Sequence, residues 1–262
     1  SAYDGEPKFS PDGKSLAFIS DRTGSRQAFV KPLGAGRPKQ ITHHSEGYQL
    51  QDWYPDGNSL LTLASRDHHW RKPQRLFRIT VGKRQAERLL FDAYAADGRV
   101  SPDGTKVLFV RESTRWWRKG YVGSQAAQIW LFDSATGKYT QVLAHPQGNR
   151  WPMWKPDGKG FYYVGAETGV FNLRSYDFES KKTKALTQFD DDSVVFPCIS
   201  RDGSTIVFRH LFDLYRFDVN SGGRPTKIAL RDTGDGTIDE TIRRTLSSAE
   251  NVAFTKDGLE IV

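Results

Sequence analysis

With one cysteine, Cys198, in 262 residues, the chain can form no internal disulfide, so sulfur content leaves the compartment open between cytoplasm and periplasm or secretion. No apolar run approaches the length that crosses a bilayer, which argues against membrane insertion. A Gly-x-Ser-x-Gly nucleophile elbow is missing. Leu33-Gly34-Ala35-Gly36 lacks the Lys-Ser/Thr ending of a phosphate loop. The spacing of His43, His44, His68, His69 and His145 fits no zinc pattern. Asp232 to Glu240 places its oxygen-bearing side chains in the wrong register for a calcium loop and reads as a polar linker. No cofactor is therefore expected. The net charge of +7 comes from 38 basic and 31 acidic residues that are well mixed, without a basic block or a nucleic-acid-binding signature, so nucleic acid is not an expected partner.

What the chain does have is one phrase, repeated six times. It stands as Phe9-Ser10-Pro11-Asp12-Gly13, Trp53-Tyr54-Pro55-Asp56-Gly57, Val100-Ser101-Pro102-Asp103-Gly104, Trp154-Lys155-Pro156-Asp157-Gly158, Ile199-Ser200-Arg201-Asp202-Gly203 and Phe254-Thr255-Lys256-Asp257-Gly258. Proline presets φ for a tight turn, aspartate bonds to the backbone that follows, and glycine accepts positive φ. After each of the first five turns come short β-branched or aromatic runs, too short for helices: Ser15–Ile19, Leu60–Leu63, Lys106–Val110, Gly160–Val164 and Thr205–Phe208. A third and a fourth run complete each unit. Four antiparallel strands per repeat, at a period of this size, specify an all-β fold, a β-propeller with five complete blades and part of a sixth.

The expected boundaries are 1–43, 44–91, 92–144, 145–188 and 189–231 for the blades, 232–248 for a linker, and 249–262 for the truncated start of a further blade or a second propeller. Either this is a five-bladed ring with a ragged tail or it is a piece of a longer chain with blade material missing; the second reading is preferred, because an uncompleted last blade leaves a strand edge open. Cys198, after Pro197 in a predicted inner strand, is expected to be packed.

Function must reside in loops or in the axial pore, since the framework is repeated scaffolding. Two excursions between second and third strands stand out, on the face opposite the Pro-Asp-Gly turns, and adjacent blades should place them side by side. One carries His68, His69, Trp70 and Arg71. The other carries Arg115, Trp116, Trp117, Arg118, Lys119 and Tyr121. Interleaved cations and aromatic rings can stack on an extended peptide or pair with its carboxylates. The alternative is packing, with Trp116 and Trp117 covering the rim between blades and their basic neighbours solvated. The acidic run Asp190-Asp191-Asp192 can attract a basic peptide or simply lie in solvent. No catalytic residue and no metal ligand is assigned.

The repeated phrase resembles that of TolB-type propellers and of the propellers in tricorn-like peptidases. The third repeat is more specific: Trp117-Arg118-Lys119-Gly120-Tyr121-Val122-Gly123-Ser124, followed by Gln128-Ile129-Trp130, is similar to a Trp-Lys-Gly-Tyr-Arg-Gly-Gly segment and Lys-Ile-Trp strand of tricorn. Val122 stands where that segment has arginine. Leu246 to Gly258 resembles the exit from a first tricorn propeller into a second. The resemblance implies most of an N-terminal six-bladed propeller of a tricorn-like serine peptidase, with its first blade missing and its catalytic domains elsewhere. It also implies a part in peptide passage or gating and in contacts with protein partners, with the remaining domains of a parent chain, or between copies in a homo-oligomer. The other reading is a free-standing TolB-like module that binds protein in a cell-envelope complex.

Overall fold

The repeated turn closes on its own side chains. In the first, Ser10 Oγ donates to Asp12 Oδ1 (2.6 Å), the same carboxylate accepts from Lys14 N (3.0 Å), and Ser10 Oγ accepts from Ser15 N (2.9 Å). The set recurs at Ser101, Asp103, Thr105 and Lys106, and again at Ser200, Asp202, Ser204 and Thr205. Gly13, Gly57, Gly104, Gly158 and Gly203 all sit at φ between 68 and 74°, as the sequence reading requires. The serine bond, helped by the Thr105 amide, holds the Asp103 carboxyl down at about 2. Folding lowers that value, so the turn's contribution is complete above the ordinary 3.8 and is lost as pH falls through about 2.

The computed structural model describes residues 2–67, 74–83, 85–111 and 115–230, together with 253 and 256. The chain divides into two compact units, Ser1–Ile228 and Ala229–Val262, and the blades belong to the first. Blade 1 comprises β1 (Asp4–Phe9), β2 (Ser15–Ser20), β3 (Gln27–Pro32) and β4 (Lys39–Gln40). Blade 2 comprises β5 (Gln49–Trp53), β6 (Ser59–Ala64), β7 (Arg75–Thr80) and β8 (Arg88–Leu89). Blade 3 comprises β9 (Ala96–Val100), β10 (Lys106–Arg111), β11 (Gln128–Asp133) and β12 (Lys138–Leu143). Blade 4 comprises β13 (Asn149–Trp154), β14 (Gly160–Gly165), β15 (Asn172–Asp177) and β16 (Thr183–Ala185). Blade 5 comprises β17 (Val194–Ile199), β18 (Thr205–His210), β19 (Asp213–Asp218) and β20 (Thr226–Lys227). Every sheet is antiparallel in chain order, and the five are arranged as a propeller ring.

The apolar core lies between sheets. Alternate residues of the second strand face opposite neighbours: Leu60 packs toward blade 1, while Leu61 and Leu63 pack toward blade 3 against Val107 and Phe109. Leu108 and Val110 meet Phe161 and Tyr163 of blade 4, and Tyr162 and Val164 meet Ile206 and Phe208 of blade 5. Each fully buried side chain of this kind stabilises by about 1.5–3 kcal/mol, so the four inter-blade seams carry most of the stability. Phe9, whose counterparts Trp53, Val100 and Trp154 each pack against the preceding blade, is exposed.

In blades 1, 3 and 4 polar locks tie the fourth strand's exit back to its own blade. The first residue of a third strand supplies them: Gln27 and Asn172 accept from Thr42 Oγ1 and Thr187 Oγ1 and donate to the carbonyls of His44 and Phe189. Gln128 exchanges two 2.9 Å bonds with the backbone of His145. The turns that follow use histidine as a local acceptor. His44 Nδ1 takes the amide of Glu46 and His145 Nδ1 that of Gln147, and each turn closes on a glycine with positive φ, Gly47 and Gly148. Those bonds account for His44 and His145.

A Cβ on Gly47 would lie 2.8 Å from the carbonyl oxygen of Arg26, at a φ of +73°. Gly13→Ala, with open space around it but the same left-handed backbone, is expected to destabilise the domain by about 1–2 kcal/mol, read from urea unfolding, and Gly47→Ala, which adds the clash with Arg26, should cost more.

Candidate functional site

The inner strands β1, β5, β9, β13 and β17 line the axis, and each contains a β-bulge with one extra residue. Six residues before the turn aspartates stand Glu6, Leu50, Asp97, Trp151 and Phe196. All but Leu50 adopt left-handed backbone, with φ of 54, 50, 49 and 54°. Such conformations cost a non-glycine residue about 1–3 kcal/mol and persist only where the surroundings hold them.

Bonds to a neighbouring blade hold Glu6, Asp97 and Trp151, and similar bonds tie blade 2 to blade 3. Glu6 Oε2 accepts from Leu50 N (2.6 Å), Gln51 Oε1 from Gly98 N (2.9 Å), Asp52 Oδ2 from Val100 N (3.0 Å), and Asp97 from the Trp151 amide. Carbonyls are met from the other side, where Trp53 Nε1 donates to Lys8 O and Trp154 Nε1 to Arg99 O, both at 3.0 Å. Inner-strand edges that would otherwise be unpaired are satisfied across the seams.

Two residues after Glu6 and its equivalents the axis turns ionic. Lys8, Asp52 and Arg99 occupy equivalent positions in blades 1 to 3, and Arg99 Nη1 donates to Gln51 O (3.1 Å) and Gly98 O (2.8 Å). Proximity to Arg99, then burial, lowers the Lys8 pKa, while Asp52, Cys198 and Glu6 oppose the shift. Burial raises Glu6, Asp52 and Asp97, against the pull of nearby cations and backbone amides. Cys198 shares this level and is exposed, which corrects the expectation of a packed thiol: the bulge at Phe196 and Pro197 turns its side chain off the seam. On the turn face, Ser10, Pro11, Asp12, Pro55, Asp56 and Arg201 line a cavity of about 500 Å³.

The opposite face carries the blade 3 excursion between β10 and β11. Its described part is a strap that reaches past blade 4 to blade 5. Trp116 meets Phe196 edge-on with centroids 4.9 Å apart, and Phe196 in turn lies 5.5 Å from Trp151. The Arg209 guanidinium stands 5.3 Å from the Trp116 ring and 5.1 Å from that of Phe196. Lys119 pairs with Asp192, whose carboxyl is disfavoured by burial yet held below its ordinary value by Lys119 and the Ser193 amide. Next to it, Asp191 Oδ1 lies 3.1 Å from Nε2 of buried His210, which stacks on Phe189 at 3.9 Å. Two members of the acidic run thus engage their own chain, and only Asp190 of the three is left as the solvated-loop reading has it.

The strap divides the predicted residues. Trp116 is half-buried and packs, whereas Trp117 is 55% exposed. Arg115 stands over Trp117 (5.2 Å) and Arg118 over Tyr121 (4.5 Å), forming an outward ladder of cations and rings. His68, His69, Trp70 and Arg71 lie outside the described residues, as do 232–248 and most of 249–262. Sequence reasoning missed Phe196, Arg209 and Trp151; the Trp151-Pro152 and Phe196-Pro197 pairs inside inner strands were the available signal.

Five antiparallel blades around a polar axis, with aromatic and cationic groups gathered at one mouth, define a β-propeller. Residues 1–224 match the family described as the Tricorn protease N-terminal beta propeller domain, and the chain belongs to it. Tricorn protease homolog 1 of Streptomyces coelicolor is 25% identical over 234 residues, covering 86% of this chain and 21% of that protein. The chain thus spans about a fifth of the length of that relative. The crystal structure of the tricorn protease superposes with a TM-score of 0.70 at 19% identity, over 96% of this chain and 24% of that one. The structure of a putative TolB from Agrobacterium tumefaciens gives 0.68 at 19% identity, over 86% of this chain and 80% of that one.

Replacing Asp97 separates its two roles. Asp97→Leu removes the acceptor for the Trp151 amide and should cost about 1–3 kcal/mol. Asp97→Asn keeps an acceptor and removes a buried charge. Because folding raises this pKa, the charge's penalty is present at neutral pH and is relieved as pH falls. Urea titrations should therefore show Asp97→Asn within about 1 kcal/mol of wild type at pH 7, with any advantage shrinking on acidification.

Proposed function

We propose that this domain is a non-catalytic propeller of a tricorn-like serine peptidase, serving peptide passage or gating and the docking of protein partners. The partners include the remaining domains of a parent chain and, in a homo-oligomer, further copies. The observation that carries the reading is the match of residues 1–224 to the tricorn N-terminal propeller family, joined to a ladder of exposed Arg115, Trp117 and Arg118 with half-buried Tyr121. Exposed rings already backed by guanidinium groups give an extended peptide large rigid contact area, and the cations can pair with its carboxylates.

A second reading, a free-standing TolB-like protein-binding module, draws on the likeness to a putative TolB, most of which the chain spans. The coding sequence downstream of Val262 separates the two. A PDZ-like module and a serine peptidase core there support the first; a stop codon within one blade supports the second.

The purified domain should not hydrolyse peptides, and turnover abolished by a single substitution in it would overturn the accessory role. Trp117→Ala with Arg118→Ala should weaken binding of an acidic, fluorescently labelled peptide by about tenfold while leaving the melting temperature unchanged, since neither side chain is buried. Unaltered affinity would remove the ladder from the site.

A further inference from the structure

Trp116 and Lys119 do not behave like the rest of the strap. Around half-buried Trp116, residues 115 and 117–120 are exposed. Trp116 lies against Phe196, while Lys119, three residues on, reaches Asp192. The receiving groups come from blades 4 and 5: Trp151 and Phe196 on the axial bulges, Arg209 on β18, and Asp192 in the loop before β17. Phe196 is held at φ +54° and stays 47% exposed even with Trp116 upon it. The left-handed bulge is common to Glu6, Asp97, Trp151 and Phe196; what sets Phe196 apart is the large apolar ring it leaves open to solvent beside a cation. Arg209 lies over both rings, so a bound aromatic side chain meets a ring on one side and a cation on another. The arrangement is that of a two-point receptor for an aromatic ring and a cation, with a segment of the same chain seated in it.

We propose that Trp151, Phe196, Arg209 and Asp192 form a binding site for a peptide carrying an aromatic residue followed three positions later by Lys or Arg, and that the strap's own Trp116 and Lys119 occupy this site as a displaceable stand-in. The inference rests on the reading of this face as peptide-handling, but it assigns recognition to blades 4 and 5 rather than to the outward ladder. It also gives the ligand a sequence rule. A tethered occupant competes with an incoming peptide, so the apparent affinity of the closed protein is reduced by the fraction of time the strap is seated. Release exposes the aromatic and cationic groups and leaves the blades unchanged, because Trp116 belongs to none of the four inter-blade cores.

The test uses a fluorescein-labelled synthetic peptide with the sequence of residues 115–121, titrated into the whole chain. The double variant Trp116→Ala/Lys119→Ala should bind it at least about tenfold more tightly than wild type. Adding Phe196→Ala or Asp192→Asn to that variant should weaken binding by about tenfold or more. A control peptide with alanine at its first Trp and glutamate at its Lys should not bind. Equal affinity of wild type and opened variant, retention of affinity after loss of Phe196 and Asp192, or no binding to an opened variant that melts with wild type would each overturn the proposal. Should the double variant unfold, Lys119→Ala alone is measured; it should bind about threefold more tightly than wild type, and no gain overturns the proposal. Binding of the acidic peptide through Trp117 and Arg118 is read separately, so that failure there counts against the ladder and leaves this result intact.

Discussion

Each blade of this propeller ends at the axis in a strand whose edge would be unpaired, and the protein depends on how that edge is satisfied. In the bulged inner strands of blades 1 to 3 a side chain reaches the next blade, where Glu6, Gln51 and Asp97 accept backbone amides. Indole nitrogens of Trp53 and Trp154 return the bond to the carbonyls of the preceding blade. The cost is left-handed backbone at four non-glycine positions and buried carboxylates with raised pKa values. The gain is a directional link at the three seams from blade 1 to blade 4, in addition to the apolar packing that any pair of sheets could make. Packing fixes the spacing of the sheets; these bonds fix their relative height and order.

The same device changes character around the ring. In blades 1 to 3 it supplies carboxylates and an amide, matched to Lys8 and Arg99. In blades 4 and 5 it supplies Trp151 and Phe196, which have no amide to cap and stand instead at the mouth. Scaffold and site therefore share one structural position, and the switch from acceptor to aromatic ring is what makes one sector of the axis receptive. The strap of blade 3 crosses to that sector, held by a ring contact and an ion pair whose energies are modest in water and readily exchanged for a ligand's.

Much of the framework was legible because its signals are local. Pro-Asp-Gly with a flanking serine specifies a turn through bonds that span five residues at most, and the short apolar runs after it can only be strands. The alternation of Leu60 and Leu61 already encoded the two-sided seams. The bulges were less legible, though Pro7, Pro152 and Pro197 in inner strands, with Gly98 at the equivalent place in blade 3, were a sign that the ladder is interrupted there. The exposed setting of Cys198 follows from its bulge and could not be read without it. The strap's destination was not legible at all: Trp116 and Trp117 are adjacent and chemically identical, and only the position of a distant phenylalanine decides which one packs. Likewise the acidic run looks solvated until Lys119 and His210 are placed beside it.

Amide hydrogen exchange tests the axial links most directly. If bulge side chains cap the next blade, the amides of Leu50, Gly98, Val100 and Trp151 should exchange as slowly as the ladder amides of β6 and β10, and Asp97→Leu should speed exchange at Trp151 while leaving Leu50 protected. Exchange at these four sites as fast as in the exposed turns would contradict the account, for it would mean that the seams are held by apolar packing alone.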